Sequence, residues 1–250
     1  MTTDMSAQDP TRALELLWGN APRPSRGPRQ GLELAGIVRA AIEIADAEGL
    51  AALSMRRVAA RLGVGTTTLY TYVPGKTELL ALMLDAVAAD AALPHTVPGD
   101  WRAKFTAWAH EDWIGFRRSP WALQVAAVRP LPGPNLMAWY DSALRVLDDT
   151  DLDGREKVMV IETVDAYVRG VARTAGDIAE AERRDSIQAA EWFTAQVDFL
   201  GRRVDFRRFP HVARSGLVHG LPDADDVFAF GLERMLDGIE AFIRSRSDAD

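Results

Sequence analysis

Between Gly65 and Pro74 the chain sets Thr66, Thr67, Thr68, Tyr70, Thr71 and Tyr72 around one leucine, Leu69. Threonine and tyrosine are indifferent helix formers, so propensity does not account for the choice. What the set can do is recognise. Threonine is short enough to sit deep in a major groove, its hydroxyl bonding phosphate or base edges and its methyl packing on a thymine methyl group. Tyr70 and Tyr72 have the reach to meet sugar–phosphate walls, and Arg56 and Lys76 flank the run where they could clamp phosphates.

A helix used in this way must be held away from the body by a neighbour, and Leu53–Leu80 reads as that device. Two short helices pressed together at a steep angle need a small residue at the crossing, inward apolar anchors and a residue that tolerates a left-handed turn. Ala59 fits the crossing, Val58, Leu62 and Leu69 the anchors, Gly63 the turn, and Val64 the plug beneath it. A plain helical hairpin would use the same small residues; the hydroxyl face is what tells against it.

The surrounding elements follow from periodicity. Leu34, Ile37, Val38, Ala41, Ile42 and Ala45 share one helical face up to Gly49. Ser54 can cap a short helix to about Leu62, residues 66–73 form a second closed by Pro74-Gly75, and a longer helix runs over 77–92. Residues 95–100 read as a hinge. Further helices are expected at 101–117, 120–128, 134–148, 153–184, 186–203 and 223–246, with a short one near 11–18 ahead of the Pro-, Gly- and Arg-rich APRPSRGPRQG. No stretch alternates with period two. The expected fold is all-α: a flexible basic arm over 1–30, a helix-turn-helix unit over 31–77, and a larger helical part over 78–250.

Charge is unevenly spread along the 250 residues, whose net charge is −7. Residues 21–76 carry eight basic groups against four acidic ones, whereas residues 77–250 carry 20 against 29. A basic head on an acidic body suits a protein of which one region meets phosphate. Arg23, Arg26 and Arg29 of the arm could enter an adjacent minor groove. The absence of cysteine excludes disulfides, thiolate-ligated metals and thiol nucleophiles. No signal-peptide pattern or apolar run of membrane-spanning length is evident, so a soluble, cytoplasmic protein is expected.

The segment Ile37–Leu80, IVRAAIEIADAEGLAALSMRRVAARLGVGTTTLYTYVPGKTELL, resembles the DNA-binding domain of the tetracycline-repressor (TetR) family. The resemblance implies a three-helix DNA-binding domain over 31–77 and a helical ligand-binding and dimerisation domain over 78–250, in a homodimer paired through a helix bundle, bound to double-stranded operator DNA and controlled by a small-molecule effector, most simply as a repressor. Carried over position by position, the family's DNA contacts fall on Arg56, Thr66, Thr67, Thr68, Tyr70, Thr71, Tyr72 and Lys76. The subgroup proper holds a magnesium–drug complex with imidazoles, and here Gln124, Val125 and Val128 stand near the matching bend, so no magnesium–tetracycline effector, metal or cofactor is expected.

Five of seven tryptophans fall between 101 and 139, which suits a pocket for an apolar or aromatic molecule. Trp108, Trp113, Gln124, Arg129, Trp139 and Tyr140 are candidate lining residues, with Tyr167 closing the cavity from the long helix. The last helix, with Val227, Phe230, Leu232, Met235, Leu236, Ile239, Phe242 and Ile243, is more apolar than one internal contact needs and is a candidate dimer face. His95, His110, His211 and His219 share no metal-ligand spacing, Glu111-Asp112 and Asp148-Asp149 read as solvated acid pairs, and no nucleophile triad is legible; an enzyme is not expected.

Overall fold

A computed structural model describes residues 10–19, 32–126, 131–185, 187–216 and 222–248. Among these the regular structure is entirely helical. The arginines of the arm (Arg23, Arg26, Arg29) and Arg129 lie outside the described residues.

Helices α2 (Leu34–Glu48), α3 (Met55–Arg61) and α4 (Thr66–Tyr70) form a compact head. Helix α2 buries Ile37, Val38, Ala41, Ile44 and Ala45 and stops where Gly49 turns to φ +80°. Ser54 caps α3, its Oγ accepting the Arg57 N–H at 3.2 Å. Ala59 and Val58 are buried at the crossing, Leu69 is fully buried from α4, and Gly63 takes φ +67° between them. The spacing Ala59–Gly63–Leu69 therefore does the packing expected of it. Helix α4 ends at Tyr70, three residues short of the expected end, and Thr71–Val73 continue as a turn before Pro74.

Helix α5 (Lys76–Ala89) leaves the head and enters the body, packing on α2 and on α8 (Pro134–Arg145). The stretch Lys76–Thr96, of which α5 is the first part, has the length and apolar character of a membrane span, but Leu79, Leu82, Met83 and Asp85 within it are buried against protein. Part of the supposed arm is structured: α1 (Pro10–Leu17) buries Ala13 and Leu17 against α5, and Trp18 Nε1 donates to the Pro132 carbonyl at 3.0 Å. An apolar stripe on a short helix next to an apolar neighbour leaves solvent wherever it can.

The body is built from α6 (Trp101–Arg118), α7 (Trp121–Ala126), α8, α9 (Gly154–Asp185) and α12 (Ala224–Ser247). Helices α6, α9 and α12 share a second core in which Phe105, Ile161, Val164, Val168, Phe228, Leu232 and Leu236 are buried. Asp100 caps α6 and Asp223 caps α12, each accepting the N–H three residues on, at 2.9 and 2.7 Å. Helices α10 (Ala189–Arg203) and α11 (Pro210–Arg214) follow α9, and α10 leaves Trp192, Phe199 and Leu200 exposed.

Residues 95–100 are not the free hinge their composition suggests. Pro94–Thr96 form a 3-10 turn, and Ser142 Oγ of α8 accepts the His95 backbone N–H at 3.0 Å while lying 2.7 Å from the His95 ring Nδ1. A loop pinned in this way moves with α8.

Candidate nucleic-acid interface and effector cavity

Helix α4 stands on the outside of the head with Leu69 as its only buried residue. Thr67, Tyr70 and Thr71 are exposed, Tyr70 at 47%, and Thr66 and Thr68 are half-exposed. The helix thus offers hydroxyls and methyls outward over its whole length. Two of the set are partly committed to the protein: the Thr71 hydroxyl donates to the Thr68 carbonyl at 2.7 Å, and Tyr72 packs against the head core.

Lys76 has a structural role besides the expected one. Its ammonium donates to the Leu53 carbonyl at 2.8 Å and to the Leu50 carbonyl at 3.3 Å, fastening the start of α5 to the turn before α3. Two of its three N–H donors are used there, leaving one for a phosphate. The carbonyls of Leu50 and Leu53 lie at the two ends of a short 3-10 turn, where a cation is the natural partner. Arg57 and Arg61 are also engaged, with Glu48 and Glu43 of α2, so the exposed cations left on the head include Arg56 and Arg39.

Two carboxylates join head to body, and sequence reading anticipated neither. Asp46, on α2, accepts the Ser119 hydroxyl at 2.7 Å and the Trp121 indole N–H at 2.6 Å. Trp121 is accordingly buried in the head core, not in the body. Asp85, on α5, accepts from Asn135 Nδ2 at 3.0 Å and from the Leu136 N–H at 3.0 Å, capping the start of α8. A carboxylate at a helix N-terminus is favoured by the orphan N–H groups and the dipole there. Gly133 belongs to this joint, because a Cβ on it would lie 2.3 Å from Asp85 Oδ1.

Behind these joints lies a cavity of about 680 Å³, walled by α5, α6, α7, α8 and α9. Its apolar wall includes Leu84, Val87, Leu136, Trp139 and Ile161, and its polar wall includes Glu111, Asp112, Glu162, Asp165 and Arg169. Trp139 and Tyr140 reach the wall because α8 carries both on the side facing α9, where the Tyr140 hydroxyl donates to Glu162 Oε1 at 2.7 Å. Burial and the Glu162 carboxylate both raise the Tyr140 pKa, so the phenol keeps its proton.

Four other expected lining residues are elsewhere. Trp108 is buried behind the wall; its ring centroid lies 5.0 Å from that of Trp139 and its Nε1 donates to Asp112 Oδ2 at 2.6 Å. Trp113 faces away, stacked on Phe228 with centroids 4.8 Å apart and donating to Asp225 at 2.8 Å, since it belongs to the α6–α12 contact. Gln124 is exposed on α7. Tyr167 does not close the cavity: its hydroxyl donates to the Val227 carbonyl at 2.7 Å and the Phe228 carbonyl at 3.0 Å, and its ring fills the space that Gly231 leaves on α12.

Of the acid pair Glu111-Asp112, Glu111 is exposed as expected, whereas Asp112 is only partly accessible. Both line the cavity; Glu111 Oε1 accepts the Ala92 N–H at 3.1 Å, and burial, as the largest cause, lifts the Asp112 pKa from 3.8 to about 7. Asp165 rises to about 6, again chiefly through burial and despite its ion pair with Arg169. The available signal was positional: Asp112 is four residues beyond Trp108 and three beyond Ala109, on the buried stripe of α6.

Comparison with known proteins agrees with this architecture. Residues 37–83 match the model for bacterial regulatory proteins of the tetR family, and residues 93–243 match that for the tetracyclin repressor-like C-terminal domain. The HTH-type transcriptional repressor DrrR1 of Streptomyces coeruleorubidus is 45% identical over 246 residues, covering 98% of this chain and 91% of that protein. The class A tetracycline repressor protein from transposon 1721 of Escherichia coli is 28% identical over 162 residues, 62% of this chain and 73% of the relative. The Streptomyces coelicolor TetR family protein ActR, crystallised in complex with actinorhodin, superposes with a TM-score of 0.72 at 27% identity, over 86% of this chain and 98% of that one. With an outward recognition helix, a body cavity enclosed by helices and both family domains in sequence, the chain belongs to the tetR family of DNA-binding transcriptional regulators.

Proposed function

We propose that this chain is a cytoplasmic repressor that binds a roughly palindromic operator as a homodimer and releases it when a small apolar or aromatic molecule enters the cavity. The observation that carries the reading is α5, which begins at the head, fastened by Lys76, and ends as a wall of the cavity. A ligand that displaces α5 tilts α4. On the DNA side, Arg56, Thr66, Thr67, Thr68, Tyr70, Thr71 and Tyr72 are the contacts, with the remaining donor of Lys76 on a phosphate.

One α4 reads too few base pairs for a useful specificity, so two copies reading half-sites one helical turn apart are needed. The supporting surface is the outward face of α9 and α12, where Met159, Val227, Phe230 and Phe242 remain exposed. The repressor sense rests on the kinship with DrrR1, and control by a small molecule on the cavity and on the ActR complex. Release is a population shift: the ligand favours the head spacing it fits best, and it moves the equilibrium only by its difference in affinity for the two states.

The test is a gel shift with the DNA upstream of the chain's own coding region. Retardation that Tyr70→Ala abolishes, and that a ligand found by thermal-shift screening reverses, is the expected result. Retardation unaffected by changes on α4 would overturn the assignment of the DNA-reading surface.

A further inference from the structure

The cavity is more acidic than a pocket for neutral molecules needs to be. Asp90, Glu111, Asp112, Glu162 and Asp165 line it, against the two guanidinium groups of Arg118 and Arg169. Arg169 is bound to Asp165 on its own helix, one turn away. The others among these acids that have a hydrogen-bond partner are held by neutral donors: Asp112 by the Trp108 indole, Glu162 by the Tyr140 hydroxyl, and Glu111 by a backbone N–H.

Neutral donors orient a carboxylate without cancelling its charge, and a partly buried charge without a counter-ion is costly. The raised pKa values of Asp112 and Asp165, due chiefly to burial, express that cost even with Arg169 nearby. A metal ion is not the natural remedy, because among the described residues no three acids or imidazoles converge as a metal site requires. A cation on an organic body fits better: the facing wall is aromatic and aliphatic, with Trp139, Tyr140, Leu136 and Ile161 offering flat and apolar contact.

We infer that the effector is an aromatic or otherwise largely apolar molecule bearing a protonated amine, and that its ammonium group is received between Asp112 on α6 and Asp165 on α9. This rests on the reading of the cavity as the effector site and adds the ligand's charge to it. Entry of the cation would release Asp165 from sole dependence on Arg169 and hold Asp112 ionised. It would also draw together α6 and α9 beside the α5 wall.

Three tricyclic probes of similar size separate the possibilities: proflavine as a cation, acridone as a neutral molecule and anthraquinone-2-carboxylate as an anion. Their affinities are measured at pH 7.5 by isothermal titration on the full chain, with quenching of tryptophan emission as a second readout. The expected result is that proflavine binds about tenfold or more tighter than the other two, the span of a charge-assisted contact. Asp112→Asn and Asp165→Asn should each reduce proflavine affinity and leave acridone affinity unchanged, which a general loss of fold would not do. Equal binding of neutral and cationic probes, or tighter binding of the anion, overturns the inference about charge and leaves the cavity standing as a binding site. If Trp139→Ala leaves the affinity of every bound probe unaltered, or if none of the three binds, the cavity reading itself fails.

Discussion

Replacing Asp112 by asparagine turns the electrostatic cost of the cavity into a pH dependence of stability. Burial is the main cause that lifts its pKa from 3.8 to about 7; the Asp165 and Glu111 carboxylates add to it, and the Trp108 N–H and the Arg169 guanidinium oppose it. Below about pH 4 both folded and unfolded chains hold the proton, and the favourable contribution of the protonated carboxyl is complete. As pH rises from there the unfolded chain gives up its proton first, so stability falls until the folded-state value of about 7 is passed. At about 1.4 kcal/mol for each pKa unit, a rise of about three sets a ceiling of about 4 kcal/mol. Asp112 keeps some solvent contact, and screening reduces the effect to about 2 kcal/mol. For a chain of this size that is about 4–8 °C in Tm. Asparagine has the same shape, carries no charge, and still offers an oxygen to the Trp108 indole, now 2.6 Å from the carboxylate. Thermal unfolding followed by circular dichroism from about pH 4.5 to 8 should show the variant gaining about 4–8 °C on the parent protein as pH rises. Melting curves that stay parallel across that range would refute the placement of an uncompensated carboxylate in the cavity.

Other consequences follow from the same contacts. Leu69→Ala removes the fully buried anchor of α4 and should cost about 2–5 kcal/mol, whereas Tyr70→Ala, on the exposed side, should leave stability within about 0.5 kcal/mol and still weaken DNA retardation; denaturant melts and gel shifts on both variants separate the two roles. Gly133→Ala drives a methyl into the Asp85 carboxylate and should cost about 1–3 kcal/mol by breaking the cap on α8, read as a lower denaturation midpoint. Tyr167→Phe loses the donor to two α12 carbonyls and should cost about 1 kcal/mol without changing the affinity of any cavity ligand, measured by titration.

The head was legible because its constraints are local. Gly63 must take a positive φ, Ala59 must be small and Leu69 must be buried, all within eleven residues, and each requirement selects a residue type that leaves a visible mark. The helices of the body were legible from period and caps, with ends shifted by a few residues, as at α8, which stops at Arg145. The structural role of Lys76 was not legible for a related reason: its charge is visible in sequence, but the carbonyls that also hold it lie 23 and 26 residues earlier.

The cavity was the least legible part, since its wall is assembled from five helices and no one of them reveals it. A tryptophan on α6 fits a pocket or a core equally well, and only the arrival of α12 decides that Trp113 stacks on Phe228 while Trp108 stands behind Asp112. The same ambiguity hid the acids. Two consecutive carboxylates on a helix read as solvated because most are; Glu111 is, and the partial burial of Asp112 depends on α9 laying Glu162 and Asp165 opposite it. Aromatic residues are spread by the demands of packing, so their density marks a core. Carboxylates gain nothing from a core, and several of them lining one cavity therefore say more about what enters it than the tryptophans do.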